Sequence, residues 1–164
     1  MRALFVILAL SLSAGPLAGC GPSLIRGPQI AKDADIEDTP EHRVLLTIVT
    51  KYGKAMEERN VQALLDMASR NYYERAGTTQ TDDDYGYDKL GEILKARLAK
   101  LETLRLRLTV DRLAIDGQRA VIDYSYTGRY LIKGAKRQHW AQKSWESRFR
   151  LEKLDGQWLV LSGM

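Results

Sequence analysis

The sequence predicts an α+β domain in which three N-terminal helices pack on a curved, four-stranded antiparallel sheet. Three observations support this fold class. Apolar residues recur at three- and four-residue spacing between residues 40 and 101, which is the period of an amphipathic helix. From Thr103 onward they alternate with polar residues, which is the period of a strand with one buried face. Two Asp-Gly pairs, Asp116-Gly117 and Asp155-Gly156, are typical of hairpin turns between such strands.

The first twenty residues predict export and lipidation. Arg2 precedes the apolar run Ala3 to Leu12, which is shorter than the roughly 20 residues that a membrane-spanning helix needs, so residues 1–19 are expected to be a cleaved signal peptide. The segment Leu17-Ala18-Gly19-Cys20 resembles the lipobox of bacterial lipoproteins. That resemblance implies a lipid on the Cys20 thiol, and therefore a cell-envelope location with an anchor in a membrane.

The residues after Cys20 indicate which membrane holds the anchor and which segment forms the tether. Gly21 stands where, in the enterobacterial sorting rule that this pattern resembles, an Asp would retain a lipoprotein in the inner membrane. In a Gram-negative host, Gly21 therefore favours the periplasmic face of the outer membrane. Residues 20–38 contain two Gly-Pro pairs and no apolar period, which predicts a lipidated cysteine followed by a flexible tether. The folded domain is then expected to span residues 39–164.

Local signals place the three helices. Thr39-Pro40-Glu41 combines an N-cap residue, a proline at the first helical position and an acid in the first turn, so the first helix is expected from Pro40 to Arg59. Asn60 is suited to cap a second, shorter helix. A third helical pattern covers residues 90–101, and no clear strand precedes it.

The strands follow from alternation and from the turns. Leu104 to Val110 forms one strand, and Leu113 falls out of phase with it, which predicts a β-bulge near Asp111 and Arg112. The second strand spans residues 119–132, the third includes residues 145–152, and the fourth spans residues 157–162. Trp158, directly after the last Asp-Gly turn, is expected in the core.

Three segments, in this order and spacing, resemble the nuclear-transport-factor-2-like superfamily, also called SnoaL-like or cystatin-like α+β cones. They are Arg59-Asn60-Val61-Gln62-Ala63-Leu64-Leu65, the hairpin at residues 116–121, and residues 149–163 with Leu154-Asp155-Gly156-Gln157-Trp158-Leu159-Val160. The resemblance covers residues 41–164 and implies a sheet wrapped around the first helix, with a pocket at the wide end of the cone. It implies no single activity, because this fold hosts enzymes, carrier domains and scaffolds.

The aromatic residues supply the candidate site. Tyr52, Tyr124, Tyr126 and Trp145 are the residues predicted to line an apolar pocket in the cone, if the pocket is open. The alternative is that the same side chains simply fill the core.

No residue is assigned a catalytic role, and neither a metal site nor a cofactor is predicted. His42 and His139 lie outside any catalytic motif. Asp123 would be a general base if it pointed into the cone. Strand alternation instead places it with Val121 and Ser125 on the outer face, where we expect a ladder of charge pairs with arginines on the neighbouring strands.

The charge of the chain limits the classes of partner that the sequence favours. The net charge of +4 comes from 25 basic and 21 acidic residues that are spread along the chain, which does not favour nucleic acid. The leading hypothesis is a non-enzymatic binding or scaffold domain, whose partner is an envelope protein, a small apolar ligand or a second copy bound through the sheet face. The alternative is a small-molecule isomerase or dehydratase. Ionisable side chains converging inside the cone would favour the enzyme.

Overall fold

The computed structural model describes residues 27–75, 83–132 and 139–164, and it confirms the predicted α+β class. Three helices pack on one face of a curved sheet, with strand order β1-β4-β5-β6-β7, and β2 and β3 form a separate antiparallel pair. The helices are α1 (Pro40–Glu58), α2 (Val61–Met67) and α3 (Tyr87–Ala99). The strands are β1 (Gln29–Ile30), β2 (Tyr73–Glu74), β3 (Tyr85–Gly86), β4 (Leu101–Asp116), β5 (Arg119–Ile132), β6 (His139–Leu154) and β7 (Gln157–Ser162).

The first two helices begin where their capping residues predict. The Thr39 hydroxyl accepts a hydrogen bond from the His42 main-chain N–H at 3.1 Å, and Pro40 follows at the first helical position. The Asn60 side chain accepts from the Ala63 N–H at 3.0 Å and so starts α2. No helix among the described residues combines the length and hydropathy needed to cross a membrane.

The bulge and the last hairpin turn lie where the sequence predicts them. β4 has a register shift between Val110 and Arg112, which is the predicted bulge. The β6–β7 hairpin turns through Asp155 (φ 49°) and Gly156 (φ 79°), and two central residues with positive φ give the twist that a tight hairpin requires. These two features keep the apolar residues of β4 to β7 on the face that the helices cover.

The N-terminal edge of the sheet differs from the prediction. Gln29–Ile30 pairs in parallel with Thr109 and Val110 of β4, and the Ala31 N–H donates to the Val110 carbonyl at 2.9 Å. Part of the predicted tether is therefore bound to the domain, and the sheet is mixed and has five strands instead of four. A two-residue strand is too short to show a period, and it forms because the edge of β4 offers unpaired main-chain groups.

The core lies between α1, α3 and the inner face of the sheet. Trp158 is 7% exposed, as predicted, and its indole N–H donates to the Glu41 carboxylate at 3.1 Å. The Lys153 ammonium lies 2.7 Å from the same carboxylate. The tryptophan therefore joins the start of α1 to the β6–β7 hairpin. The largest side chains that are wholly buried are Tyr124, Phe149, Leu45, Leu64, Leu90 and Ile122.

A buried carboxylate fixes the segment between α2 and β2. Glu152 is 4% exposed and accepts hydrogen bonds from the Ser69 hydroxyl and, at 3.0 Å, from the Asn71 amide. The Arg119 guanidinium lies 3.2 Å from its second oxygen. Because these partners satisfy the buried charge, the segment is held against β6 and leads directly into Glu74 of the site described next.

Candidate functional site

A cavity of about 400 Å³ opens between the helices and the inner face of the sheet. α1 and α3 form one side, β5 and β6 form the other, and the segment after β7 closes part of the opening. The lining residues are Tyr52, Met56, Glu74, Arg75, Tyr85, Leu94, Arg97, Leu98, Tyr124, Tyr126, Ser147, Gly163 and Met164.

Aromatic rings form the inner wall of this cavity. The Tyr52 ring meets the Phe149 ring edge-on, with centroids 4.9 Å apart, and Tyr124 lies 4.6 Å from the same phenylalanine. Tyr126 continues the row at 6.1 Å from Tyr124. These distances are those of favourable aromatic pairs, so the wall is preformed.

The buried phenols of the wall are neutral at physiological pH. Burial raises the pKa of the Tyr52 and Tyr124 hydroxyls well above the usual value near 10, because a phenolate would lose its hydration there. Tyr124 donates to the Gly163 carbonyl at 3.4 Å. The wall therefore offers apolar rings with neutral hydroxyl groups and no buried charge.

Glu74 is the acidic side chain that the described residues place in the cavity lining. Its Oε2 accepts the Gly163 N–H at 2.6 Å and the Tyr72 hydroxyl at 3.0 Å. Tyr72 also accepts the Met164 N–H at 3.1 Å. Glu74 thus holds the segment after β7 across the opening, with one of its two oxygens engaged in these bonds.

Two guanidinium groups stand at the mouth. Arg75 follows β2 and Arg97 lies in the last turn of α3, and both are exposed residues of the cavity lining. Arg97 lies over the Tyr85 ring at 5.8 Å. No carboxylate of the described residues forms an ion pair with either arginine. The mouth therefore presents positive charge above an aromatic wall.

The structure brings together three of the four residues predicted for the pocket. Tyr52, Tyr124 and Tyr126 line the cavity. Trp145 stacks on Tyr126 at 5.2 Å, yet it is 40% exposed and lies outside the lining. Cys20 lies outside the described residues.

The charged half of the lining has no counterpart among the residues predicted for the pocket. Glu74 and Arg75 lie in a segment with no apolar period, and Arg97 is one of several basic residues of α3 that no motif distinguishes. No motif marks these positions, and only the docking of β2 against β7 brings them beside the tyrosines. A weak signal was available, since an arginine in the last helical turn above an apolar stripe lies near the core boundary.

Asp123 lies on the outer face, as predicted, and is not part of the cavity lining. Arg148 forms a bidentate pair with it, and the Arg112 guanidinium lies 3.2 Å from its second oxygen. The predicted ladder of charge pairs is wrong at the other end of this face, because Arg105 lies directly opposite Arg129 and Arg107 opposite Thr127. Alternation predicts which face a residue occupies, but the residue across from it depends on register.

Of the two histidines, only the His42 side chain is described, and it lies outside the cavity lining. The His42 ring pairs through Nδ1 with the Glu37 carbonyl at 2.7 Å, in the turn before α1. His139 is the first residue of β6. Across residues 27–75, 83–132 and 139–164, no group of three or more histidine, cysteine or acidic side chains could hold a metal ion.

No family model and no curated protein sequence matches this chain. Solved structures do resemble it. A protein from Kribbella flavida has a TM-score of 0.63 at 9% identity, covering 74% of this chain and 86% of its own. A protein from Streptomyces avermitilis, provisionally assigned as a dehydratase of the nuclear-transport-factor-2-like family, has a TM-score of 0.62 at 11% identity, covering 74% and 92%.

A third structure, provisionally assigned as a scytalone dehydratase from Novosphingobium aromaticivorans, has a TM-score of 0.58 at 12% identity, with 75% of this chain and 80% of that chain covered. At such identities the likeness establishes the fold alone. The chain has the nuclear-transport-factor-2-like cone fold.

Proposed function

We propose that this chain is a membrane-anchored lipoprotein of the bacterial cell envelope whose cone binds a small, largely apolar ligand that carries an acidic group. The observation that carries the proposal is the open cavity of about 400 Å³, with an aromatic wall below two guanidinium groups. A volume of this size suits a ring system or a short acyl chain. A cone filled by its own side chains would instead have favoured a scaffold.

The charges at the mouth support an acidic group on the ligand. Arg75 and Arg97 have no carboxylate partner among the described residues, whereas Glu74 is already bound by two donors. A carboxylate, sulfonate or phosphate at the mouth would gain charge-assisted hydrogen bonds from the arginines. The apolar part of the same molecule would contact the tyrosine rings.

Binding is tested with two fluorescent probes of similar shape, neutral N-phenylnaphthylamine and anionic anilinonaphthalene sulfonate. We expect both to bind, and Ser147→Trp to abolish binding because Ser147 faces the cavity from β6 and a tryptophan there would fill it. Ser144→Trp is the matched control, since Ser144 lies on the outer face of the same strand, beside Thr127. Arg97→Gln should weaken the sulfonate about tenfold and leave the neutral probe unchanged.

The probes separate the parts of this proposal. Equal affinity of both probes in the wild-type chain would refute the proposal that the ligand carries an acidic group. It would still support an apolar binding site. Binding that survives Ser147→Trp would show that the probes lie elsewhere, and the cavity proposal would fail. Lys89→Gln, on the exposed face of α3 and away from the cavity lining, controls for the general loss of positive charge.

The anchor rests on the sequence around Cys20. We expect the wild-type chain to incorporate radioactive palmitate and to partition into the detergent phase of a phase separation, whereas Cys20→Ser should do neither. Equal labelling of the two proteins would refute the lipoprotein assignment. It would leave ligand binding by the cone untouched, because the cavity lies wholly within residues 52–164.

An isomerase or dehydratase is the second candidate, and Glu74 is the residue that favours it. Its carboxylate lies at the cavity with Oε1 outside the bonds to Tyr72 and Gly163, so it could take a proton from a bound molecule. Native mass spectrometry of the tagless protein from its own envelope would identify a retained ligand. Loss of water from that ligand, or deuterium uptake in heavy water, that disappears in Glu74→Gln would establish catalysis. A ligand that is retained but not converted would leave ligand binding as the only supported function.

A further inference from the structure

Three arginines and a tryptophan form a patch on the outer face of the sheet, at the end where β4 begins. Arg105 lies directly opposite Arg129, and Arg107 is two residues further along β4. Trp140, on the same face of β6, is 58% exposed, and the Arg129 guanidinium lies over its ring at 5.9 Å. We call Arg105, Arg107, Arg129 and Trp140 the arginine patch.

On the outer face, the arginine patch lacks the carboxylates that pair arginines elsewhere, and the Glu57 carboxylate, which borders the same cleft as Arg107, accepts the Leu106 N–H. No ion pair among the described residues includes any of its three guanidiniums. Toward the middle of the sheet, the first acid on β6 is Glu146, opposite Ser125. Glu102, at the same end of β4, offsets one positive charge at most. Like charges directly across a strand pair are unfavourable. An anion bound between Arg105 and Arg129 would therefore stabilise this part of the sheet.

The path of the chain links this patch to the anchor. β1 runs parallel to β4, so Gly27 and Pro28, which precede Gln29, lie toward the Leu101 end of β4, where the patch lies. Gly27 and Arg107 border the same small cleft. Six residues lie between Cys20 and Gly27, and the seven Cα–Cα steps span at most about 25 Å, whereas β4 from Arg107 back to Leu101 covers about 20 Å.

A lipid on Cys20 can therefore reach just past the Leu101 end of the sheet. The opposite end, at Asp116, lies roughly 30 Å from Arg107 in the other direction, beyond the reach of the same linker. With the anchor proposed above at Cys20, the end of the sheet that carries the arginine patch is the end that such a linker can bring to the bilayer. The direction of the linker therefore favours membrane lipids as the source of the anion that the patch would bind.

We propose that the arginine patch binds the anionic phospholipid headgroups of the membrane that holds the Cys20 anchor. The inference rests on the anchor proposed above and adds an orientation to it. Guanidinium groups bind phosphate oxygens in pairs of hydrogen bonds, and tryptophan favours the interface between headgroups and acyl chains. A second copy on the same patch would place arginines against arginines, which is unfavourable.

Tryptophan fluorescence in nanodiscs tests this docking with the full acylated chain. The chain has three tryptophans, so a Trp145→Phe background leaves Trp140 in the patch and Trp158 in the core. Nanodiscs of phosphatidylethanolamine and phosphatidylglycerol, with acyl chains brominated near the headgroups, should quench Trp140. Nanodiscs of brominated phosphatidylcholine alone should quench it much less. Trp140→Phe in the same background should remove the quenched component.

The arginines are tested by charge removal at two positions on the same face. Arg105→Gln with Arg129→Gln should lower the ratio of docked to undocked molecules about 30-fold, since each arginine near an anionic surface contributes a factor of about five. Arg150→Gln is the matched control, because Arg150 is an exposed outer-face arginine near the other end of the sheet. High salt should act like the double substitution.

Each result supports or overturns the docking. Phosphatidylglycerol-dependent quenching that the double substitution removes supports it. A chain retained by the nanodiscs whose Trp140 is not quenched, or is quenched equally in both lipids, overturns the docking and leaves the anchor standing. Quenching that survives the double substitution refutes the role of the arginines. A chain that no nanodisc retains overturns the docking and the anchor together.

Discussion

Asp123 is the carboxylate whose position most affects the functional interpretation, because it would be a general base if it faced the cavity. It lies on the outer face with Arg148 and Arg112. We expect Asp123→Asn to lower the free energy of unfolding at pH 7 by less than about 1 kcal/mol, as for a partly exposed ion pair. Chemical denaturation and the two naphthalene probes would measure stability and binding, and binding should not change.

The pH dependence of this small effect has a definite sign. The Arg148 guanidinium holds the pKa of the Asp123 carboxyl below its usual value near 3.9. The stabilisation by Asp123 is therefore present above about pH 4 and is lost as the pH falls through its lower folded-state pKa. The difference between wild type and Asp123→Asn should vanish in strong acid. Loss of probe binding in the variant at pH 7 would instead place Asp123 in the site.

Trp158 tests the core at a single residue. Trp158→Ala removes a large buried ring and its hydrogen bond to Glu41, so we expect a loss of about 3 to 5 kcal/mol in the free energy of unfolding. Trp158→Phe keeps most of the ring and should cost less. Trp140→Ala, at an exposed position, is the control, with an expected change within about 0.5 kcal/mol. Similar denaturation midpoints for the two alanine variants would exclude Trp158 from the core.

At the scale of elements, the segment after β7 depends on one glycine. Gly163 has φ of 106°, and a Cβ atom there would lie 2.1 Å from the Arg148 carbonyl oxygen. Gly163→Ala should therefore destabilise the domain by more than about 3 kcal/mol, since it combines backbone strain with a clash against main chain. It should also weaken probe binding, because the Gly163 N–H donates to Glu74 at the cavity.

Gly117→Ala is the matched control for this prediction. Gly117 also has positive φ, at 56°, but its Cβ position is in open space, so only the backbone strain of about 1 kcal/mol is expected. Thermal denaturation of both variants separates strain from the clash. Equal destabilisation by the two substitutions would mean that the segment after β7 can move away from β6 without cost.

Element order was the part of the fold that local patterns could predict. The caps at Thr39 and Asn60, the Asp155-Gly156 turn and the bulge after Val110 depend on neighbours within a few residues, and each lies where the sequence places it. β1 could not be found in this way, because Gln29–Ile30 becomes a strand only when the edge of β4 is present.

At the scale of the whole molecule, the buried tyrosines couple stability to alkaline pH. Burial raises the folded-state pKa of Tyr52, Tyr72 and Tyr124 above the value near 10 expected in the unfolded chain. Their contribution to stability is complete below pH 10 and is lost as the pH rises from 10 toward the folded-state pKa. Each group then lowers the free energy of unfolding by about 1.4 kcal/mol per pH unit.

Chemical denaturation at successive pH values above 10, followed with tyrosinate absorbance, would measure this loss. Three such groups predict a fall of roughly 3 kcal/mol between pH 10 and pH 11, because each phenol of the unfolded chain is only half ionised at pH 10. Tyr52→Phe should reduce the slope by about one third, because it removes one titrating phenol and keeps its ring. A stability that stays constant over this interval would show that the phenols ionise without unfolding, and hence that the cavity wall is hydrated.

The sequence by itself determined the α+β class and the face of the strand on which Tyr124 and Tyr126 lie. These properties follow from periodicity, because strand alternation fixes Tyr124 and Tyr126 on the inner face whatever their neighbours are. The tertiary structure alone decided that Glu74, Arg75 and Arg97 meet those tyrosines, and that Arg105 faces Arg129. Such contacts join residues distant in sequence, and they depend on the register of β4 with β5 and on the docking of β2 beside β7, which no local pattern encodes.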